Sequence, residues 1–427
     1  ELQIATEKVQ YIITLARDFD AKVAPWETSE EREVDVEAIL EESANDPYEA
    51  QLKTCIDELI IDEQVSLVAL MWIGRVTYEA EDLDEALSTA RSERVNETSA
   101  YLLGVPLLPE YLTDGLEKLG ISIEEKMDTF LGLPKVSMDD DPAGAVVLIG
   151  APEATPYETG KSSHASGAPW ALRAASARYA NWHAHHDFDT GDTLVRSGVA
   201  LLDAGDLPGG PKTPAANRDA IEAAVKAVLD AGALPLVLGG DDAVPIPVMA
   251  AYRDYGPIWV VQIDAHIDWR EERFGEKLGW SSPMRRASEM AWVEGIVQLG
   301  GRGVGSATPA EVDDARAWGA RIITAREIHA QGVGDAFAAV PEGAKVFITL
   351  DCDGLDPSIM PAVAARVPGG LAYWHVMDIF DALAERARIV GCDIVELAPD
   401  RDVDGIGTLT GVRLVCTAAA AMARSHK

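Results

Sequence analysis

Apolar side chains recur at helical spacing through the first 122 residues of the chain. Val9, Ile12, Ile13 and Ala16 lie three or four positions apart, which places them on one face of a helix. The same spacing predicts further helices around residues 52–60, 65–73, 82–87 and 101–119. Because no alternating strand pattern occurs in this part of the sequence, residues 1–122 are predicted to form a small all-helical domain.

A stretch rich in turn-forming and acidic residues follows the helical part. Gly132 and Pro134 precede Asp139-Asp140-Asp141, and Pro142 and Gly144 lie just beyond. Glycine and proline interrupt regular structure, so residues 123–143 are predicted to be a linker. The second domain is then residues 144–427.

The hydrophobic pattern changes after residue 144, where short β-branched runs alternate with helical stretches. Eight strands are predicted, at residues 146–149, 199–202, 235–238, 258–263, 296–299, 321–323, 346–350 and 389–395. Continuously apolar strands that alternate with helices indicate an α/β fold, in which helices cover both faces of a mainly parallel sheet. Ligands bind such sheets beyond the carboxyl ends of the strands.

Polar side chains follow four of these strands directly. They are Gly239-Gly240-Asp241-Asp242, Asp264-Ala265-His266-Ile267-Asp268, Asp351-Cys352-Asp353 and Glu396. If a strand stays extended, residues at positions i, i+2 and i+4 point to the same side. On that condition the aspartates and the histidine of the second and third segments converge with Asp242 on one pocket.

Carboxylates crowded into one pocket repel each other and raise each other's pKa unless a cation lies between them. Oxygen ligands with a single imidazole suit Mn²⁺ before Zn²⁺, and bridging carboxylates would hold two ions roughly 3.5–4 Å apart and generate a hydroxide nucleophile. The alternative is structural, since a lone aspartate after a strand is usually a helix cap or a loop hydrogen-bonding group. Asp356 is expected to be one of these.

Composition narrows the choice of partner and compartment. Hydrophobic residues make up 48% of the chain and charged residues 25%, the balance of a globular protein. Asp and Glu outnumber Lys and Arg by 71 to 36, and a formal charge of −35 argues against a nucleic-acid partner, although a saline habitat would explain it equally well. The sequence has no secretory signal pattern and no uninterrupted apolar run long enough to span a membrane. Its four cysteines are scattered, as is usual for free thiols in a reducing compartment. A cytoplasmic protein without a membrane partner is therefore predicted.

The second domain resembles the ureohydrolases, the arginase and agmatinase family, over about residues 144–425. The motifs that carry this resemblance are Gly239-Gly240-Asp241, Asp264-Ala265-His266-Ile267-Asp268, Asp351-Cys352-Asp353-Gly354-Leu355-Asp356-Pro357 and Pro368-Gly369-Gly370-Leu371. The helical part resembles a bacterial family of unknown function, through Asp57-Glu58-Leu59, Ala69-Leu70-Met71-Trp72 and Tyr101-Leu102-Leu103-Gly104. That second likeness implies no reaction.

The ureohydrolase resemblance implies a three-layer α/β/α fold, two metal ions that are usually Mn²⁺, and a trimer or hexamer. It also implies hydrolysis of a guanidinium group to urea and an amine. Asp264 and Asp351 would bridge the two ions, Asp268 would hold the first ion, and His266 with Asp353 would hold the second. Glu396 would face the guanidinium, in agreement with the two hydrogen bonds that a carboxylate forms with a planar cation.

Two positions depart from the family pattern. Asp242 stands where the family has a histidine ligand of the first ion. An aspartate can still ligate a metal there, and the preference of the site would shift toward harder ions. Ni²⁺ and Zn²⁺ stay possible as alternative metals. Trp280 stands where the family has a histidine that passes protons to the leaving amine, and indole exchanges no proton near neutral pH. His164 could replace it as proton donor, and so could one of the histidines His183, His185 and His186. The alternative for these three histidines is a solvated loop without a role in the reaction. Trp280 itself is expected either to form an aromatic lid over the guanidinium or to fill the core.

Three functions therefore compete. The first and favoured one is a metal-dependent hydrolase of a small guanidino compound with a rebuilt path for the proton. The second is an inactive relative with a structural or regulatory role, for which the helical domain would recruit a protein partner. The third is a deacetylase-like amide hydrolase, against which Glu396 counts because it replaces an additional metal ligand. The substrate is expected to be selected by loops at residues 153–165, 274–283 and 359–368.

Overall fold

A computed structural model describes residues 2–23, 47–93, 97–121, 129–136, 142–182, 185–195 and 198–426. The chain divides into two compact units, the first up to about residue 126 and the second over nearly all of residues 127–427. Residues 129–136 and 142–143 of the predicted linker are described, and the rest of it lies outside the described residues. The domain boundaries stated above therefore stay predictions.

The regular elements described in the first unit are helices, as predicted. The α-helices are α1 (Thr6–Val23), α2 (Pro47–Asp57), α3 (Ile61–Gly74), α4 (Leu83–Ser92), α5 (Thr98–Leu103) and α6 (Leu108–Lys118). Ile12, Ile56, Leu70 and Leu112 are fully buried and belong to one hydrophobic core. The helical spacing in the sequence thus marks the faces that pack together.

One predicted helix of the first unit is wrong in its extent. The pattern over residues 101–119 predicts a single helix, whereas α5 ends at Leu103 and α6 begins at Leu108. Gly104 ends α5, and Pro106 has no N–H with which to continue it. Apolar spacing carries across such a break because the two helices pack on the same core.

The second unit is built on an eight-stranded parallel sheet. Its strands are β1 (Val146–Ala151), β4 (Leu201–Asp206), β5 (Leu234–Gly239), β6 (Ile258–Ile263), β7 (Val293–Gly301), β8 (Arg321–Thr324), β9 (Lys345–Asp351) and β10 (Arg388–Val395). They lie in the order β4-β1-β5-β10-β9-β6-β7-β8, while β2 (His186–Asp187) and β3 (Asp192–Thr193) form a separate hairpin. All eight predicted strands are present, which confirms the predicted fold class.

Helices pack on the sheet because nearly every residue of its central strands is apolar and buried. These helices are α7 (Ala168–Ser176), α8 (Pro214–Asp230), α9 (Pro245–Ala250), α10 (Pro283–Ser288), α11 (Pro309–Trp318), α12 (Ala325–Gln331), α13 (Tyr373–Arg386) and α14 (Ile406–Arg424). Alternate residues of β9 enter two different hydrophobic cores, with Ile348 in one and Phe347 in the other. The sheet therefore has a core on each face.

α14 is long and apolar enough to span a bilayer, and among the described residues no other helix is. Most of its residues, including Val412, Val415 and Ala419, are buried within the second unit. Its composition is therefore that of a core helix that covers the sheet.

Candidate metal centre

The four strands that carry the predicted site residues are neighbours at the centre of the sheet, in the order β5, β10, β9 and β6. Their ends are also in register, since Val395 lies beside Asp351 and Ile263 lies beside Leu350. The carboxyl ends of the four strands therefore meet at one edge. This edge is the place where parallel sheets bind ligands.

Two groups of possible metal ligands form at this edge. Asp242, Asp264 and Asp351 each offer an oxygen within 4.8 Å of the others, and Asp264, His266 and Asp353 do the same. Asp264 belongs to both groups. One carboxylate shared between two neighbouring groups is the arrangement that a pair of bridged ions requires.

The side chains converge, but the cause is not an extended strand, because the strand geometry ends before the last ligands of each motif. β6 ends at Ile263, and Cys352–Gly354 forms a 3₁₀ turn. Instead, Oδ1 of Asp264 accepts a hydrogen bond from the His266 amide at 2.6 Å, and Oδ1 of Asp351 accepts one from the Asp353 amide at the same distance. Each first aspartate thus closes a turn over two residues, and that turn brings the third residue of the motif to the site.

A glycine makes the approach of the two ligand segments possible. A Cβ on Gly354 would lie 2.9 Å from the backbone nitrogen of Asp264. Any larger residue at position 354 would push the segment after β9 away from Asp264. The glycine of the Asp351-Cys352-Asp353-Gly354 motif therefore sets the distance between the two segments.

The carboxylates of the first group are buried and have little to neutralise them. Asp242, Asp264 and Asp351 are at most 3% exposed. Burial, followed by the charges of the neighbouring carboxylates, raises the pKa of all three well above the usual value. Both oxygens of Asp242 are buried without a hydrogen-bond partner among the described residues, and no lysine or arginine described forms an ion pair with the three aspartates.

Buried carboxylates are normally paired or bound to metal. The unpartnered oxygens of Asp242 therefore fit a divalent cation, as does the oxygen-rich set of donors around them.

The second group contains the imidazole. Nδ1 of His266 lies 3.2 Å from Oδ2 of Asp353 and 3.3 Å from Oδ1 of Asp264. Burial lowers the pKa of His266, but the hydrogen bond to Asp353 and the surrounding carboxylates outweigh it and raise the pKa to about 9. For Asp353 burial is likewise outweighed, and His266 holds its pKa below the usual value. A cation bound here would take the place of the proton that His266 shares with Asp353.

Asp268 lies beside the first group but is not part of it. Its charge raises the pKa of both Asp242 and Asp264. Its Oδ2 accepts a hydrogen bond from Nε2 of Gln262 at 2.6 Å, and the same Nε2 donates to Oδ2 of Asp264 at 2.6 Å. The role of Asp268 as a ligand of the first ion therefore stays a prediction.

Gln262 and its neighbour Gln298 are site residues that the sequence analysis missed. Nε2 of Gln298 donates to Oε1 of Gln262 at 2.6 Å, and both side chains are buried. The signal was present in the sequence, because each glutamine is the one polar residue deep in an apolar strand. A buried amide in that position needs partners, and two carboxylates of the site supply them to Gln262.

Glu396 connects the metal edge to a histidine. It has a left-handed backbone with φ of +65°, which is unusual for a residue other than glycine and is found at functional sites. Its amide donates to the carbonyl of Gly240 at 2.8 Å, and its Oε1 accepts a hydrogen bond from the Asp242 amide at 2.9 Å. Its Oε2 lies 2.5 Å from Nε2 of His164.

Trp280 contacts the ring of His164. The two rings meet edge to face with centroids 5.6 Å apart, and the Tyr157 ring lies 4.1 Å from the Trp280 ring. Trp280 is partly exposed and also packs against one of the sheet's hydrophobic cores. Its packing is that of a core residue, and its role as a lid over a guanidinium stays a prediction.

The other residues singled out in the sequence lie elsewhere or act structurally. His185 stacks on Trp182 and His186 contacts Phe188, while His183 lies outside the described residues. Asp356 accepts hydrogen bonds from the amides of residues 358, 369 and 370, as expected of a loop residue. Among the described histidines that could replace the proton donor, His164 is therefore the one that the structure brings to Glu396.

The second unit matches a known protein family. Residues 144–421 match the model of the arginase family. The chain belongs to the arginase family. Members of this family typically depend on two metal ions, usually Mn²⁺, act on small guanidino compounds and are often oligomeric.

Two relatives are 32% and 28% identical to this chain over the matched residues. Guanidinobutyrase of Pseudomonas aeruginosa is 32% identical over 201 residues, which cover 46% of this chain and 62% of that enzyme. Proclavaminate amidinohydrolase of Streptomyces clavuligerus is 28% identical over 312 residues, which cover 71% of this chain and 95% of the relative.

Solved structures of two arginase-family proteins share the fold of the second unit. The proclavaminate amidinohydrolase structure has a TM-score of 0.62 at 27% identity, over 70% of this chain and 97% of that one. Arginase from Medicago truncatula has a TM-score of 0.53 at 27% identity, over 65% of this chain and 87% of that one.

The first unit matches a different family. Residues 49–121 match a family described as a protein of unknown function, DUF3775. This confirms the predicted resemblance of the helical part, and it adds no activity.

Proposed function

We propose that this arginase-family protein hydrolyses a small guanidino compound to urea and an amine at the edge formed by β5, β10, β9 and β6. The observation that carries the proposal is that Asp264 belongs to two adjacent groups of metal ligands. Asp242, Asp264 and Asp351 would hold one ion, and Asp264, His266 and Asp353 would hold the other. The family resemblance adds Asp268 to the first ion and makes Asp351 a second bridge.

Two divalent ions bound there would supply a hydroxide nucleophile at neutral pH and neutralise charge that develops on the substrate. The protein's own contribution is to orient the substrate. Glu396 accepts hydrogen bonds from the Asp242 amide and from His164 in the structure, and each of its oxygens can accept a further hydrogen bond. It can therefore bind two nitrogens of a planar guanidinium and fix the central carbon near Asp264.

Mn²⁺ is the proposed metal, because carboxylate oxygens dominate both groups of ligands and a single imidazole completes them. The replacement of the family histidine by Asp242 strengthens this preference for a hard ion. Ni²⁺ and Zn²⁺ are the alternatives to be compared with it.

The experiment that tests the proposal measures metal content and urea release together. The full-length chain is supplied with Mn²⁺, Ni²⁺ or Zn²⁺, and urea is measured with guanidinobutanoate, agmatine and arginine as substrates. We expect about two ions per chain, as a binuclear site needs, and urea from at least one compound. Asp264→Asn should lose both ions and the activity, whereas the exposed control Asp313→Asn should keep them.

An inactive member of the family is the alternative, favoured by Asp242 and Trp280 at positions where the family has histidines. A chain that binds no metal and releases no urea with any of the three ions would support that alternative. A chain in which Asp264→Asn keeps its full metal content would contradict the shared role of Asp264.

A further inference from the structure

The loop that carries His164 is held firmly beside the site. The Ser163 amide donates to both oxygens of the buried Glu153, at 3.1 and 3.3 Å, and the Ala165 amide donates to Oγ of Ser163 at 3.2 Å. Glu153, Ser163 and Ala165 are all buried. His164 is thus flanked by anchored residues, and its side chain is the part of this segment that reaches Glu396.

The imidazole of His164 has one strong polar partner and one aromatic neighbour. Nε2 lies 2.5 Å from Oε2 of Glu396, and the ring meets Trp280 edge to face. The side chain is 24% exposed, so it is partly accessible to solvent. These contacts fix the direction of Nε2 while leaving it within reach of a bound molecule.

The charges around His164 favour its protonated form. Burial lowers the pKa of the imidazole, but the hydrogen bond and the charge of Glu396, together with the charge of Asp241, outweigh burial and the opposing charge of Arg401. The pKa of His164 is therefore raised above its usual value. Near neutral pH the residue can hold a proton at Nε2, as a proton donor must.

A guanidinium bound to Glu396 would place a nitrogen next to His164. Oε2 of Glu396 already accepts from Nε2 of His164, and a guanidinium N–H that donates to the same oxygen must lie beside that imidazole. Trp280, which replaces the family's histidine, cannot supply a proton. His164 is then a proton donor beside that substrate nitrogen.

We propose that His164, held by Glu396 and Trp280, donates the proton to the amine that leaves when the guanidino compound is hydrolysed. This inference rests on the proposed function. It assigns the proton transfer to a loop residue that follows β1 and contacts Oε2 of Glu396, whereas the Asp242 amide donates to Oε1.

A water molecule adds to the guanidino carbon as hydroxide, and its other proton passes to solvent. The bond from that carbon to the leaving nitrogen then breaks, its electron pair stays on the nitrogen, and Nε2–H of His164 gives its proton to this nitrogen. The hydroxyl proton lost as the urea carbonyl forms returns to His164, so that the products are urea, a free amine and the one proton released to solvent.

His164→Gln tests the role directly, because the glutamine amide can keep a hydrogen bond to Glu396 but cannot transfer a proton. We expect kcat for an alkylguanidine to fall by about a hundredfold to ten-thousandfold, with the metal content unchanged. The wild-type kcat should decline at high pH as His164 loses its proton, and this decline should be absent in the variant. His185→Gln, at a surface histidine that stacks on Trp182, is the matched control and should behave like wild type.

Two further measurements separate proton donation from a merely structural role. An arylguanidine, whose leaving amine is a much weaker base, needs less protonation and should lose less activity in His164→Gln than an alkylguanidine does. Added imidazole should restore part of the activity of His164→Ala but none of that of Asp264→Asn. Equal losses with both substrates and no rescue by imidazole would overturn the proposal.

A readout that does not require turnover completes the test. In the full-length chain without metal, the ¹⁵N resonances of the His164 ring should shift when millimolar guanidinium chloride is added, and Glu396→Gln should abolish the shift. If the wild type is active and His164→Gln has the same kcat, the role of His164 is overturned while the proposed function stands. A wild type that binds two ions and hydrolyses no guanidino compound would overturn the proposed function and this inference with it.

Discussion

Gln262 and Gln298 lie opposite each other on β6 and β7, and Nε2 of Gln298 donates to Oε1 of Gln262 at 2.6 Å. Nε2 of Gln298 also donates to the carbonyl of Ile267 at 2.7 Å, so its amide is fixed as well. With its oxygen engaged, the Gln262 amide turns its two N–H groups toward Asp264 and Asp268. A pair of buried amides thus orients two carboxylates of the candidate metal centre.

Gln262→Leu should weaken metal binding. The substitution leaves Asp264 and Asp268 without the donor that orients them, and loss of such a partner typically lowers metal affinity about 10- to 100-fold. Gln298→Leu should have a smaller effect, since Gln262 keeps its own contacts with both carboxylates. Affinity for Mn²⁺ is measured by competition with a chelator, and the exposed Gln331→Leu serves as the control. Wild-type affinity in Gln262→Leu would show that the amides only fill the core.

The strands and the ligand residues could be predicted because their signals are local. β6, for example, is an apolar run that ends in a polar segment, and the predicted range 258–263 agrees with the structure. The convergence of the ligands was predicted for the wrong reason, because the turns at Asp264 and Asp351 depend on side-chain hydrogen bonds that strand geometry does not include.

The contacts that were missed depend on parts of the chain that are far apart in sequence. His164 and Glu396 are 232 positions apart, so the sequence left His164 as one alternative among several. Gln262 and Gln298 are 36 positions apart, and only the register of β6 and β7 places them together. Long-range pairing of this kind leaves no periodic pattern along the chain.

Asp242→His should change which metal the protein prefers. The wild-type first group consists of three carboxylates, Asp242, Asp264 and Asp351, and oxygen ligands favour Mn²⁺. An imidazole at position 242 favours Zn²⁺ and Ni²⁺ and removes one negative charge from a buried site. The ratio of Zn²⁺ to Mn²⁺ affinity, measured by competition titration, should therefore rise in the variant. A ratio equal to that of wild type would mean that Asp242 does not ligate the metal.

Trp280→Leu should weaken substrate binding more than it slows the reaction. If the indole covers a bound guanidinium, its loss removes a cation–π contact of about 0.5–2 kcal/mol, which corresponds to a rise in KM of about 2- to 30-fold. Trp280→Phe keeps an aromatic face against Tyr157. Its KM should therefore lie between the KM of Trp280→Leu and that of the wild type. An unchanged KM together with a lowered melting temperature would instead assign Trp280 to the core.

Asp393→Asn should make the second unit less sensitive to pH. Asp393 is fully buried in β10, and burial raises its pKa to about 8. An unfolded chain releases the proton near pH 4, so between about pH 4 and 8 the folded state binds more protons and the stability of the wild type falls as the pH rises. Asparagine stays neutral at every pH. The free energy of unfolding of the variant minus that of the wild type should therefore increase over this range, by at most about 1.4 kcal/mol per pH unit.

The midpoint of urea unfolding at pH 5, 6, 7 and 8 measures this difference. Asp335→Asn, at an exposed position of the second unit, is the control. If Asp393→Asn follows wild type in parallel, the Asp393 carboxylate must be ionised in the folded protein, and a cation or a water molecule must then stabilise it within the sheet.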